Sequence, residues 1–255
     1  MRPVAVVTGG GSGSGAATAA RLVADGFDVV VAGRRRDRLD EVAATLDGHA
    51  RAVVMDVTDL ASVTAGAAEI GQCDVLVNNA GGALGTDPVE SADPDDWRGM
   101  LETNVVGPLQ TTRAFLPALR RSPHATVVTI TSTAAEITYP GGGGYTAAKH
   151  AERALVETLR LELNGSHVRV VEICPGMVHT PEFSVNRFGG DQDKADAVYQ
   201  GVDHPLTAAD VAECVAFCVR LPQHVNVDRL VVKPVAQAAQ HVLHRGPIDW
   251  GAGGA

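Results

Sequence analysis

Val4-Ala5-Val6-Val7-Thr8-Gly9-Gly10-Gly11-Ser12-Gly13-Ser14-Gly15 stands almost at the start of the chain. Four apolar residues, mostly β-branched, read as a buried strand, and a run of glycines follows directly. After Gly15 the pattern changes to the spacing of an amphipathic helix, over Gly15–Asp25. A strand, a glycine turn and a helix N-terminus together form a site for anions. The glycines let the backbone turn tightly and approach a pyrophosphate, and the helix start supplies N–H donors and positive dipole. A lone glycine fingerprint is weak evidence, whereas one placed between a strand and a helix is in the context that gives it meaning.

The same alternation continues to the far end. Further strands are predicted at Asp28–Ala32, Ala52–Met55, Val75–Asn78, Thr126–Ile130, Val168–Cys174 and Leu230–Lys233. Helices are predicted at Asp37–Leu46, Ser62–Ile70, Pro94–Leu119 (with a break near Pro108), Tyr145–Leu163 and Ala208–Leu221. Continuously apolar strands separated by helices imply an α/β fold, a doubly wound parallel sheet of about seven strands with helices on both faces. With 255 residues, 45% of them hydrophobic, the chain can bury one large core. One domain is expected over 1–250, with 251–255 as a disordered tail.

Composition excludes several classes of function. A net charge of −9 and the lack of a basic run argue against nucleic acid. No run of about eighteen apolar residues suggests a membrane span. The first strand begins within three residues, which leaves no room for a signal peptide. The four cysteines (Cys73, Cys174, Cys214, Cys218) have neither metal-ligand nor disulfide-framework spacing. A reduced, cytoplasmic protein without a metal is expected.

A second stretch carries the chemistry: Thr129-Ile130-Thr131-Ser132, then Thr133 to Pro140, four glycines, and Tyr145-Thr146-Ala147-Ala148-Lys149. Tyr145 and Lys149 are four apart and share one face of a helix. Ser132 lies at a strand end, where open α/β sheets bind ligands. A phenol, an ammonium and a hydroxyl can therefore meet around an alcohol or carbonyl oxygen. A free tyrosine has a pKa of about 10. A cation roughly 4–5 Å away at an effective dielectric near 20 contributes roughly 3–4 kcal/mol, enough to lower it by two to three units. Lys149 is thus expected to bring Tyr145 toward operating pH. The competing reading is a surface Tyr and a surface Lys at helical spacing.

The second strand ends in Ala32-Gly33-Arg34-Arg35-Arg36. Proteins that bind NAD on this architecture carry an acid there for the ribose 2′-hydroxyl. Gly33 instead leaves room for a 2′-phosphate, and a guanidinium suits that phosphate in shape and charge. Arg34 is the first candidate and Arg35 the second, which makes the expected cofactor NADP(H). A solvated, basic helix start is the alternative.

The glycine loop, the Ser132–Tyr145 spacing of thirteen, Asn78-Asn79-Ala80-Gly81 and Asn104 together resemble the short-chain dehydrogenase/reductase family, in its order and along essentially the whole chain. The resemblance implies a Rossmann-type fold and an oxidoreductase. Tyr145 would be its general acid/base, with Ser132 holding the reacting oxygen and Lys149 gripping the nicotinamide ribose. The family's TGxxxGxG is matched by Thr8, Gly9, Gly13 and Gly15, with Gly11 and Ser12 inside it. Ser14 departs from the usual Ile or Leu. Asp56 and Val57 would meet the adenine. Asn79, Ala80 and Gly81 would lie beside the cofactor, with an Asn tying neighbouring strands. Asn104 alone reads as an exposed helix residue; by resemblance it distorts the helix and places a water near Lys149. Pro175-Gly176-Met177-Val178-His179-Thr180 matches PGxVxT, so Pro175, Gly176, Val178 and Thr180 would face the nicotinamide and phosphates.

From Pro181 to Thr207 the resemblance implies a substrate lobe. Its wording is similar to the NADP-dependent 3-hydroxy acid dehydrogenases, which act on serine and related small acids. A small-molecule carboxylate needs a partner there: Arg187 lies in a partly apolar setting, Lys194 sits among acids, and His179 is the other candidate. A structural Arg187 is an equal alternative. For the activity, a broader carbonyl reductase is the second reading, and the intact set of Ser132, Tyr145, Lys149 and Asn104 argues against the third, a catalytically idle NADP-binding regulator. The resemblance also implies a homo-oligomer, dimer or tetramer, packed through helices Pro94–Leu119 and Tyr145–Leu163.

Overall fold

A computed structural model describes residues 2–251. Strand β1 (Val4–Thr8) leads into helix α1 (Gly13–Ala24), followed by β2 (Asp28–Gly33), α2 (Arg36–Ala44), β3 (Ala50–Val54), α3 (Leu60–Ile70) and β4 (Val75–Asn78). Next come α4 (Pro94–Leu101), a π-helical turn (Glu102–Val106), α5 (Gly107–Leu119), β5 (Thr126–Ile130) and a 3-10 turn (Thr133–Ala135). The long helix α6 (Gly143–Glu162) and β6 (Arg169–Pro175) follow. The segment after β6 holds β7 (Val178–His179), α7 (Phe183–Arg187), α8 (Gln192–Tyr199) and β8 (Leu206–Thr207). The chain closes with α9 (Ala208–Arg220), β9 (Arg229–Val232) and a hairpin of β10 (Gln237–Ala239) and β11 (Val242–Leu243). Of the expected tail only Gly251 is described; residues 252–255 lie outside the described residues.

Seven strands pair in parallel in the order β3-β2-β1-β4-β5-β6-β9. Because side chains alternate along a strand, β1 sends Ala5 and Val7 to one face and Val6 to the other. Ala5 and Val7 join a core with Leu22 of α1, Leu39 of α2 and Val215 of α9. Val6 joins a second core with Val63 of α3, Phe115 of α5 and Val156 of α6. Both faces of the sheet are therefore covered by helices, as continuously apolar strands require.

The chain reverses its direction of travel across the sheet between β1 and β4, so their C-terminal ends diverge into a cleft. Thr8 and Asn79 stitch that point together. The Thr8 hydroxyl donates to Val77 O (3.2 Å) and accepts from the N–H groups of Asn79 and Ala80 (both 3.0 Å). Asn79 Nδ2 donates to Thr8 O at 3.0 Å.

One expectation changes in detail. The helix expected over Pro94–Leu119 is interrupted at Glu102–Val106, upstream of Pro108, which sits in the first turn of α5 where proline is tolerated. The β10–β11 hairpin had no sequence counterpart. Among the described residues no helix is long and apolar enough to cross a membrane, and no cluster of three or more His, Cys, Asp or Glu could hold a metal.

Candidate active site

The C-terminal strand ends open into two cavities that share Ser14, Asn79, Gly81 and Thr180. The outer one runs along the glycine loop and takes in Gly9, Gly11, Ser12, Gly13, Arg34, Arg35, Asp56, Val57 and Ala80. Its glycines are required by geometry. Gly9 and Gly13 have φ of +64° and +50°, the left-handed region, and a Cβ on Gly15 would come within 2.2 Å of Gly9 O. The helix start is thus pressed against the loop, and its first residues Gly13 and Ser14 line the cavity. At the far wall the Arg34 guanidinium has no hydrogen bond or ion pair among the described residues. Arg35 donates to both Glu182 oxygens (3.0 and 2.7 Å), and Ser12 Oγ donates to the same carboxylate at 2.8 Å. These contacts, Arg35 first, hold the Glu182 carboxyl below its ordinary range despite partial burial. Burial works against the charge of Asp56, but the N–H and hydroxyl of Thr58 on its Oδ1 (3.0 and 2.8 Å) hold it low. A cradle of glycine backbone, an uncommitted guanidinium beside Gly33 and a fixed carboxylate fit a dinucleotide carrying a 2′-phosphate.

The inner cavity holds Ser132, Tyr145, Lys149, Pro175, Gly176, Val178 and Arg187. Ser132 ends the loop after β5 and caps the 3-10 turn, its Oγ accepting from Ala134 N–H at 3.1 Å. The four glycines before Tyr145 let α6 start against α4. A Cβ on Gly144 would meet Met100 Cε at 2.3 Å, and one on Gly143 would meet Trp97 Cζ2 at 2.8 Å. Tyr145 is buried, its ring edge-on to Phe183 at 5.8 Å. Two cations flank that ring: Lys149 Nζ and Arg187 Cζ each lie 5.9 Å from its centroid.

Electrostatically the phenol differs from the expectation. Burial pushes Tyr145 above its ordinary value, and the pull of Lys149 and the Ser132 hydroxyl does not overcome this. A second acid accounts for part of the shortfall. Lys149 Nζ donates to Glu152 Oε2 at 2.6 Å and to Ile130 O at 3.2 Å, so its charge is already partnered. Glu152 was not singled out in the sequence, where Lys149-His150-Ala151-Glu152 looks like an ordinary surface pair.

Asn104 is fully buried, not exposed. The π-turn aims its amide at Gly82, accepting from Gly82 N–H (3.2 Å) and donating to Gly82 O (3.0 Å) and Met100 O (2.8 Å). It backs Gly81, where a Cβ would come 2.7 Å from Asn104 Oδ1 and 3.5 Å from Lys149 Nζ. Arg187 faces the cavity from α7 and donates to Gly85 O (3.2 Å), Gly141 O (3.1 Å) and the Tyr139 hydroxyl (3.4 Å). All three acceptors are neutral. His179 is exposed, stacked on Tyr199 at 4.3 Å, and lines neither cavity, because β7 turns its side chain outward. Phe183 and Tyr199 of the wall come from the lobe expected over Pro181–Thr207 and Met177 from the PGxVxT stretch, whereas Tyr139 and Gln237 carried no sequence signal. Only the fold brings them in.

The short chain dehydrogenase family model matches residues 3–187. The chain belongs to the short-chain dehydrogenase/reductase family. An uncharacterized oxidoreductase of Mycobacterium tuberculosis (strain H37Rv) is 54% identical to this dehydrogenase over 236 residues, covering 92% of each chain. Serine 3-dehydrogenase of Agrobacterium fabrum is 39% identical over 245 residues, covering 93% of this chain and 96% of that one. Among solved structures, the closed form of serine dehydrogenase complexed with NADP+ superposes with a TM-score of 0.89 at 38% identity, covering 95% of this chain and 99% of its own.

Proposed function

We propose that this dehydrogenase, using NADP(H), interconverts a small 3-hydroxy acid and the corresponding 3-oxo acid. The observation that carries the substrate class is Arg187: a guanidinium beside Tyr145 that bonds only neutral oxygens, with no carboxylate partner among the described residues. A substrate carboxylate would supply that counter-charge, and a planar guanidinium can bind both its oxygens and fix which face is presented. The likeness to serine dehydrogenases supports the same reading.

Bound NADP(H) supplies or takes the hydride. The residues of this chain handle the proton and the orientation. In the reductive direction Tyr145 gives its phenolic proton to the carbonyl oxygen while the Ser132 hydroxyl hydrogen-bonds that oxygen. In oxidation Tyr145 takes the proton back. Lys149 stabilises the phenolate by charge, and Asn104, packed behind Gly81, keeps the backbone beside Lys149 in place. Gly9, Gly13 and Gly15 hold the pyrophosphate and Arg34 the 2′-phosphate, with Arg35 joining it when its pair with Glu182 opens. Exposed apolar side chains such as Leu109 on α5 and Leu161 on α6 support a homo-oligomer built through these helices.

Steady-state oxidation of a panel of 3-hydroxy acids, with uncharged alcohols of matching size and with NADP against NAD, tests the reading. The Arg187→Met variant completes it, and is expected to raise KM for the acids while sparing the alcohols. Equal losses for both would show that Arg187 serves only to tie α7 to the loops at Gly85 and Gly141. A broader ketone reductase is the second reading, favoured by the apolar wall of Met177, Phe183 and Val198; faster turnover of uncharged ketones would select it.

A further inference from the structure

Lys149 shares the protein interior with an acid that proton transfer at Tyr145 does not require. Glu152, three residues further along α6, is 1% exposed, and Lys149 Nζ is its side-chain hydrogen-bond partner. Burying an ion pair commonly costs more hydration than the pairing returns, and apolar side chains of similar size would fill the space as well. Such a pair against a catalytic site points to a role in the site.

The charged surroundings narrow that role. From β6, Glu172 is the like charge that Glu152 senses. Glu172 is itself matched: it accepts from Thr131 Oγ1 at 2.9 Å and from Arg229 Nε of β9 at 2.8 Å. Glu157 and Glu136 stand on the outer side of Arg229, at 2.6 and 3.8 Å. Cys174 lies 3.2 Å from Glu172, its thiol pushed up to about 12 by burial and therefore neutral. Arg229 is thus committed to the three acids around it, and Lys149 alone answers the charge of Glu152.

We propose that Glu152 is the positioning residue for Lys149, holding the ammonium in place and cancelling part of its field at Tyr145. The inference rests on the acid–base role proposed for Tyr145. With Glu152 ionised, the phenol faces a nearly neutral pair; with Glu152 protonated, it faces a full cation. Burial, opposed by Lys149, pushes Glu152 up to about 7, so the exchange falls in the neutral range. Acidification through that range adds positive charge beside the phenol and favours its ionised form, opposing the direct effect of the medium.

The test is an ultraviolet difference titration of the Tyr145 phenol, read as each protein minus its Tyr145→Phe counterpart, for the wild type, Glu152→Gln and Glu152→Asp. Gln keeps the shape and deletes the charge, so the Tyr145 midpoint is expected to fall by about half a pH unit or more. The acidic limb of the oxidation kcat profile should move the same way. Asp keeps the charge and is expected to stay near the wild type. An unchanged or raised midpoint in Glu152→Gln, or an equal shift in Glu152→Asp, overturns the proposal. If Glu152→Gln does not fold, Glu152→Met removes the same charge and is read identically. Should Tyr145→Phe retain turnover within tenfold, the acid–base reading fails, while the titration midpoints still decide whether Glu152 screens Lys149.

Discussion

Tyr145 occupies a setting in which its hydroxyl has little to do for folding: the ring packs on Phe183 and near two cations, and burial disfavours the phenolate. Tyr145→Phe keeps that packing, so NADPH binding, followed by cofactor fluorescence, is expected to survive. Turnover is expected to fall by about 10²–10⁴-fold, the usual contribution of a positioned acid or base. Residual activity within tenfold of the wild type would mean that the proton takes another route. At the other cavity Arg34 is the uncommitted cation, whereas Arg35 is held by Glu182. Arg34→Asp replaces a charge-assisted donor, worth about 1.5–3 kcal/mol, with a like charge. At least tenfold weaker NADP binding, with NAD little changed, is the expected calorimetric result; an NADP affinity equal to that of the wild type would remove Arg34 from the phosphate site. At this scale fixed spacing in the sequence singled out Ser132, Tyr145 and Lys149, which the fold brings to one cavity. It did not reveal Glu152, because an acid three residues past a lysine is indistinguishable from a solvated pair until the helix face is known to be buried.

Among the elements, the glycine run Gly141–Gly144 reads in sequence as a glycine-rich loop before the helix, and most of its glycines are there for clearance. Gly141 takes φ +73°, and the next three would collide with Tyr139, Trp97 and Met100 if they carried a Cβ. Gly144→Ala would press on Met100 and the less yielding Trp97. Overpacking of this kind costs about 1–3 kcal/mol, or roughly 2–10 °C in Tm for a chain of this size. A thermal melt unchanged within a degree would show that Met100 simply moves aside. Asn104 teaches the opposite lesson. Its residue type suits a helix interior poorly, and the helix responds with a π-turn that carries its amide onto Gly82. That response depends on Gly82 being opposite, so only the family resemblance suggested it.

Across the whole molecule, the strand–helix alternation was legible because a parallel sheet buried on both faces must be written in continuous apolar runs. Boundaries drifted by a residue or two at β3 and β9, and the short β7–β8 pairing went unseen because it exists only through tertiary contact. One further feature is the pairing of the two ends of the chain on one face. Ala19 and Leu22 of α1 lie in the same core as Val215, Cys218 and Val219 of α9, and Arg21 reaches Glu213 across the seam. In order of synthesis those partners are separated by most of the polypeptide. When the glycine loop and α1 leave the ribosome, β1 is already made and β2 follows closely, but the part of their core that α9 supplies stays missing until α9 has emerged. The nucleotide cradle is therefore translated well before α9, and over that interval the α1 face that meets Val215, Cys218 and Val219 has no helix to cover it.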